Sequence, residues 1–509
     1  MTLPTDLRRL PGLERALHDY LPRQRWFAGA APVATAELVA TVWLRRRSPA
    51  AAVTVVDVTC TDGTAARYAL LLGLRPASEP LPPAPAAALL ELADAPAAPE
   101  WLVYDGLADP TILLDLLART HPGQTVTGAG AAVRFAPAPG GGPGPAAPAQ
   151  TARLLAADQS NSAATYDDRW FLKWFRRLWP GLNPELELPL LLLGNGFTAL
   201  PRPVGSITLE MADGPATLAL IQTHLGTGSD GLALALTSLR DLFGDLREDA
   251  DGELPLPVTV DQVLQGQGSS FEPHAAHLGH LTAALHLALA RGGDDPATRA
   301  RTGGVRELTA WASQTESMLA ALLARGDPQL ASLATHRSRM HAAIRAIGTL
   351  ATAGQLIRVH GDYHLGQVLR TDNGWHVLDF EGEPARPMAE RRQLASPLRD
   401  VAGMLRSFSY AAEVALRQQT TPADPAWRSL EPYGREWTRR CQRRFLDTYQ
   451  DRVRGAGLLP DAPGAVAKLL TAFQLEKALY EVRYEVDHRP EWVTIPLNGI
   501  ARICSPKAG

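Results

Sequence analysis

Two strand-forming runs, QVLRT and WHVLDF, are joined by Asp372-Asn373-Gly374 inside a part of the chain whose apolar residues otherwise recur at helical spacing. A hairpin brings its own ends together. Here the ends carry Asp362 and Gln367 on one side and Asp379 on the other. Three polar side chains are therefore predicted to converge within an apolar stretch from Val359 to Pro384.

Asp362 and Gln367 are five residues apart, the step from Asp to Asn in the kinase catalytic loop H-R-D-x-x-x-x-N, and Asp379-Phe380-Glu381 falls where kinases carry D-F-G. The spacing suits phosphoryl transfer: the first Asp reaches the acceptor hydroxyl, while the amide and second Asp turn oxygens toward Mg²⁺ on the nucleotide phosphates. His360, Asp362 and His364 also alternate, which in a strand would place them on one face as in a metal hydrolase. No compact Cys, His or carboxylate cluster elsewhere completes such a sphere. His360 is instead expected to orient the loop and His364 to face the acceptor.

Composition excludes other classes. A net charge of −3 without a basic tail argues against nucleic acid. Cys60, Cys441 and Cys504 are odd in number and far apart, which fits a reducing compartment. The first residues lack an apolar signal core, and no run approaches the ~18 apolar residues of a membrane span. The expectation is a soluble cytoplasmic protein with no membrane partner.

Composition shifts along the 509 residues predict an α+β chain of several domains. AAVTVVDVTC and ARYALLLGL flank TDG and read as a hairpin in an N-terminal α+β cap, residues 1–135. Residues 136–149, a Pro/Gly/Ala-rich run, read as a linker. Residues 150–230 read as a β-rich nucleotide-binding lobe, and residues 231–509 as an α-helical catalytic and sugar-binding lobe, with a cleft expected between the two. In the β-rich lobe, Lys173 sits among Trp170, Phe171, Trp174 and Phe175 and is the candidate phosphate lysine, the alternative being an edge-strand lysine facing water. A helix capped by Asn183 follows and offers Glu185 and Glu187 as its partner, Glu187 being favoured. Ser160, Asn161 and Ser162 lie in a turn that lacks glycines but can present hydroxyls and N–H groups to phosphates.

Asp400 in SPLRDVAGMLRSF reads as a brace for the catalytic loop rather than a reactant, because its neighbours form a core face. Glu476, Tyr480 and Arg483 fall on one helical face, which suits either solvent or a sugar.

HGDYHLGQVLRT, DFEGEP, SPLRDVAGMLRSF, QSNSA before FLKWFRRL, GLNPELEL, and LEKALYEVRYE with RPEWVTIPL resemble bacterial maltokinases. The resemblance runs from LPRQRWFAG to IPLNGI. It implies a bilobal fold similar to aminoglycoside phosphotransferases and protein kinases, with an N-terminal cap, and ATP and Mg²⁺ as cofactors. By position it makes Asp362 the base, Gln367 and Asp379 the metal ligands, Lys173 the phosphate lysine, and Gln222, His224 and Leu225 part of the adenine hinge. His364, Glu381, Glu476, Tyr480 and Arg483 become substrate-facing candidates. The implied reaction is phosphorylation of maltose at its anomeric hydroxyl, feeding α-glucan synthesis, with trehalose synthase as a partner; the expected state is a monomer or weak oligomer, which the resemblance does not fix. Two departures stand out: AAPV after RWFAG, where the family shows a basic run, and the Pro/Gly/Ala insertion. The rival readings are a glucosamine kinase of similar architecture and a pseudokinase scaffold. Retention of Asp362, Gln367, Asp379 and Lys173 argues against the scaffold.

Overall fold

The computed structural model describes residues 3, 6–29, 31–84, 88–90, 92, 101–120, 123–139, 148–155, 160–248, 271–384 and 386–505. Two compact units divide the chain: Met1–Leu190 with Pro201–Gly226, and Leu191–Leu200 with Thr227–Gly509.

The first unit holds two antiparallel sheets. One contains β1 (Val33–Arg45), β2 (Ala50–Cys60), β3 (Ala65–Pro76), β4 (Leu89–Leu90) and β5 (Trp101–Asp105), in the order β1-β2-β3-β5-β4. The predicted hairpin is β2 and β3. Their near-continuous apolar runs follow from burial on both faces, since alternate residues of a strand point to opposite sides. Val53, Val55 and Leu71 enter one core, while Val56, Val58 and Leu70 enter another beneath the helix Leu13–Tyr20.

The second sheet has the order β6-β7-β11-β12-β10-β9-β8. Its strands are β6 (Gln124–Thr127), β7 (Ala131–Pro137), β8 (Ala152–Leu154), β9 (Ser162–Tyr166), β10 (Trp170–Trp174), β11 (Pro203–Met211) and β12 (Gly214–Thr223). Leu172, Trp174, Ile207 and Ile221 pack into the same core as Val53 and Leu71. Each such fully buried side chain is worth roughly 1.5–3 kcal/mol, so the two sheets are energetically joined. Polar contacts reinforce them. Trp174 Nε1 donates to the Ala69 carbonyl at 3.2 Å, and Arg176 donates to Asp105 at 2.5 Å and to Ser162 Oγ at 2.8 Å, with Trp26 under its guanidinium at 4.7 Å.

One boundary lies elsewhere than the sequence places it. β7 pairs with β11 through Ala136 opposite Ser206 and Pro137 opposite Gly205, so the run read as a linker begins as part of the larger sheet. Its residues 140–147 lie outside the described residues.

The second unit is built on helices, chiefly Gly231–Glu248, Glu272–Ala290, Val305–Ala324, Ala331–Ala346, Leu398–Gln419, Pro425–Val453, Ala465–His488 and Thr494–Cys504. Small sheets interrupt them: β13 (Ser229–Asp230) with β16 (Val368–Thr371) and β17 (Gly374–Val377), and β14 (Arg301–Gly303) with β15 (Gly354–Leu356). Two glycines allow close approach. A Cβ at Gly279 would stand 2.5 Å from the Phe445 carbonyl, and one at Gly403 would stand 2.6 Å from the Tyr363 carbonyl. The latter lets the helix Leu398–Gln419 lie against the loop that carries Asp362. All three cysteines are buried and unpaired, and among the described residues no helix is long and apolar enough to cross a membrane.

Candidate active site

The hairpin predicted from Asp-Asn-Gly is β16 and β17, with Thr371 opposite Gly374. Its closure brings the Gln367 amide nitrogen to 3.2 Å from Asp379 Oδ2, and Leu378 N–H donates to the Gln367 carbonyl at 2.9 Å. Asp379 holds φ +61°, a region that costs a non-glycine residue on the order of 1–3 kcal/mol and that clusters at functional sites.

Asp362 precedes this hairpin on a loop fixed from beneath. Asp400, fully buried in the first turn of its helix, accepts from His360 N–H at 2.8 Å and Gly361 N–H at 2.9 Å, and its other neighbour is His286 Nε2 at 3.1 Å. Burial alone would raise the Asp400 pKa, but His286, His360 and the Gly361 N–H outweigh it, and the carboxylate lies below its ordinary value. Asp400 is thus the brace the sequence suggested. His360 Nε2 is engaged by the Leu378 carbonyl at 2.7 Å, and His364 Nδ1 accepts from Gly366 N–H at 3.1 Å. Each ring thus has one nitrogen engaged in holding the loop. His364 Nε2 still lies 3.8 Å from Asp362 Oδ2, and burial depresses its pKa.

Lys477 is among the residues that the sequence did not disclose. Its Nζ donates to Asp362 Oδ1 at 3.1 Å and to Glu383 Oε1 at 3.0 Å. Burial opposes the charge on Asp362, but Lys477 and then His364 outweigh it and hold the carboxylate below its ordinary range. Asp362 and Glu383 in turn outweigh burial on Lys477 and keep it protonated. Lys477 lies three residues before Tyr480, so the helical face chosen for Glu476 and Tyr480 already contained the signal.

Asp362, Glu383, Glu476, Lys477 and Tyr480 line a cleft of about 750 Å³ within the second unit, floored in part by Trp311 and Phe473. Glu476 is buried and accepts from Arg386 at 3.1 Å and Arg399 at 2.7 Å. Arg399 stacks on Phe473 at 4.7 Å. Burial, then the neighbouring Glu383, pushes the Tyr480 hydroxyl up to about 12. The Arg483 guanidinium lies 5.4 Å from the Tyr480 ring and the residue is exposed. Neither Arg483 nor the half-buried Glu381 is among the residues lining this cleft.

The first unit holds the nucleotide candidates. Lys173 is buried on β10, between β9 and β12, so it is not on an edge strand. Glu185 Oε2 lies 3.7 Å from its Nζ, and Glu187, the glutamate favoured from the sequence, is also buried in the first turn of the same helix. Asn183 accepts from Glu185 N–H at 2.9 Å as the helix cap. Ser162 opens β9 with its hydroxyl oxygen accepting from Arg176, while Asn161 donates to Ser160 Oγ at 3.3 Å. Gln222 pairs with Phe171 across β10 and β12, and His224 stacks on Phe171 at 6.5 Å with its Nδ1 3.2 Å from the Asp168 carbonyl. Leu225 follows immediately, where the chain leaves this unit.

Residues 20–109 match the maltokinase N-terminal cap domain, and residues 249–433 match the phosphotransferase enzyme family. A glucosamine kinase from Streptacidiphilus jiangxiensis is 32% identical over 363 residues, covering 69% of this chain and 73% of the relative. The chain is a capped sugar kinase of the phosphotransferase enzyme family. A second relative of this capped kinase, the glucosamine kinase of Mycolicibacterium smegmatis (strain ATCC 700084 / mc(2)155), is 29% identical over 68% of this chain and 77% of its own. A solved glucosamine kinase in complex with glucosamine, ADP and inorganic phosphate aligns over 97% of this chain and 99% of its own, with a TM-score of 0.62 and 25% identity. Another crystal form of a glucosamine kinase gives a TM-score of 0.64 over the same shares.

Proposed function

We propose that this capped kinase transfers the γ-phosphoryl group of ATP to a hydroxyl of glucosamine. The reading rests on the acids of the cleft, Glu383 and Glu476 beside Asp362, in a chain 32% identical to a protein named glucosamine kinase. A protonated amino sugar needs carboxylates where it loses water, and sugar hydroxyls need the charged donors Arg386 and Arg399. Asp362, ionised at neutral pH, accepts or orients the proton of the attacking hydroxyl. Gln367 and Asp379 carry the hard oxygen donors that suit Mg²⁺, and the Gln367 amide nitrogen donating to Asp379 Oδ2 at 3.2 Å holds the two side chains side by side. Bound there, Mg²⁺ would offset phosphate charge. Lys173, with Glu185 3.7 Å away, is the phosphate lysine of this reading, Ser160, Asn161 and Ser162 are its phosphate-binding turn, and Gln222, His224 and Leu225 its adenine hinge.

A second reading, maltose, is favoured by one observation. Lys477 already occupies Asp362 and Glu383, and Arg386 and Arg399 already occupy Glu476, so a neutral acceptor would leave every one of these pairs intact. The phosphate would then go to the anomeric hydroxyl, and a trehalose-isomerising enzyme would be the natural source of acceptor. A coupled ADP-release assay over glucosamine, maltose, glucose and maltotriose separates the two. Turnover with glucosamine and none with maltose supports the first reading; the reverse establishes the second, and turnover with no sugar removes both.

A further inference from the structure

The catalytic hairpin has a second cleft at its far end. Arg370 and Trp375 face each other across the β16–β17 ladder. With His274, His277 and His280 of the helix Glu272–Ala290, and Arg452 near the end of Pro425–Val453, they line a space of about 640 Å³. The three histidines recur at steps of three, so each neighbours the next along the helix surface. No acidic residue lines this cleft among the described residues. That sets it apart from the cleft at Asp362, where Lys477, Arg386 and Arg399 all meet carboxylates.

Two further observations point to a ligand. Trp375 is buried at 8% exposure, yet its indole Nε1 makes no hydrogen bond, an arrangement that natural structures rarely leave unexplained. The His274 ring meets Trp375 edge-on at 5.6 Å, and burial followed by the charges of Arg370 and His277 disfavours a proton on His274. Cationic and imidazole groups are gathered here without an acid to offset them.

We propose that this cleft is an anion site that takes a phosphate group, separate from the nucleotide and acceptor positions. Guanidinium forks and imidazole and indole N–H groups are donors suited to phosphate oxygens. Two residues inward from Arg370 and Trp375 the ladder ends at Val368 and Val377, next to Gln367 and just before Leu378 and Asp379. Occupancy therefore bears on the strand pair that holds the metal-ligand candidates.

The test follows imidazole resonances of the full-length, histidine-labelled protein as inorganic phosphate is added, with ADP saturating the nucleotide site. The rings of His274, His277 and His280, assigned by single His→Gln substitutions, should shift saturably. In Arg370→Gln/Arg452→Gln the apparent affinity should fall at least tenfold. His277→Gln, an exposed position that spares the fold, should weaken it several-fold. Rings that stay still, shifts reproduced by sodium chloride at equal ionic strength, or an affinity unchanged in both variants would overturn the proposal.

Discussion

Lys477 Nζ sits between Asp362 Oδ1 at 3.1 Å and Glu383 Oε1 at 3.0 Å, so the candidate base carries its own counter-ion. Removing the cation in Lys477→Met leaves Asp362 buried beside a second acid, and both effects raise its proton affinity. The acid limb of the pH profile of kcat/KM should move to higher pH, and kcat/KM at neutral pH should fall by about 10–100-fold. Lys477→Arg should restore the limb. An acid limb unmoved in Lys477→Met would separate the lysine from the base.

Asp400→Asn tests the brace. The folded-state pKa of Asp400 is depressed, so its contribution to stability is present above the carboxylate's unfolded value and is lost as pH falls through the folded one. Asn can accept from only one of the two N–H groups that Asp400 now serves, leaving the other short of a partner at about 1–3 kcal/mol. Thermal melts should show a lower Tm at pH 7, with a smaller difference from wild type under acid conditions. A Tm deficit that is constant with pH would contradict the charge argument.

Asp379→Gly separates chemistry from fold. Glycine adopts φ +61° without the strain an aspartate bears there, so Tm should hold or rise slightly. Turnover should nonetheless vanish, and MgATP binding by calorimetry should weaken while sugar binding without nucleotide stays near wild type. Retained turnover would take Asp379 out of the metal site.

Gly279→Ala should be costly for a single methyl group. The new Cβ meets the Phe445 carbonyl at 2.5 Å, and backbone cannot rotate aside as a side chain can. The helices Glu272–Ala290 and Pro425–Val453 must part, at roughly 1–3 kcal/mol. Chemical denaturation should report this loss, and a variant as stable as wild type would show that the two helices are less closely packed than this.

Local chemistry made parts of this site readable and distance hid the rest. Asp-Asn-Gly announced the hairpin, and with it the meeting of Gln367 and Asp379, because both depend on residues within one short turn. The burial of Lys173 on an interior strand was readable from its aromatic neighbours. The approach of Glu185 to the lysine was not, because that contact is made by tertiary packing. Lys477 stayed hidden as well: its partner Asp362 is 115 positions away. The same applies to Arg386 and Arg399 on Glu476, pairs made by tertiary packing that leave no periodic trace.

The pairing of β7 with β11 has a consequence for any attempt to trim this chain. A fragment beginning near Gln150 would lack β6 and β7, and β11 would become a bare margin of unsatisfied N–H and carbonyl groups along Gly205–Met211. Such a margin is a template for intermolecular strand addition. The Val133 and Phe135 side chains would be missing from the shared core as well, so neighbouring molecules would be recruited by both hydrogen bonds and apolar surface. Light scattering of that fragment should therefore grow with concentration. The strands ahead of Gln150 are the selvedge that keeps the larger sheet from fraying into its neighbours.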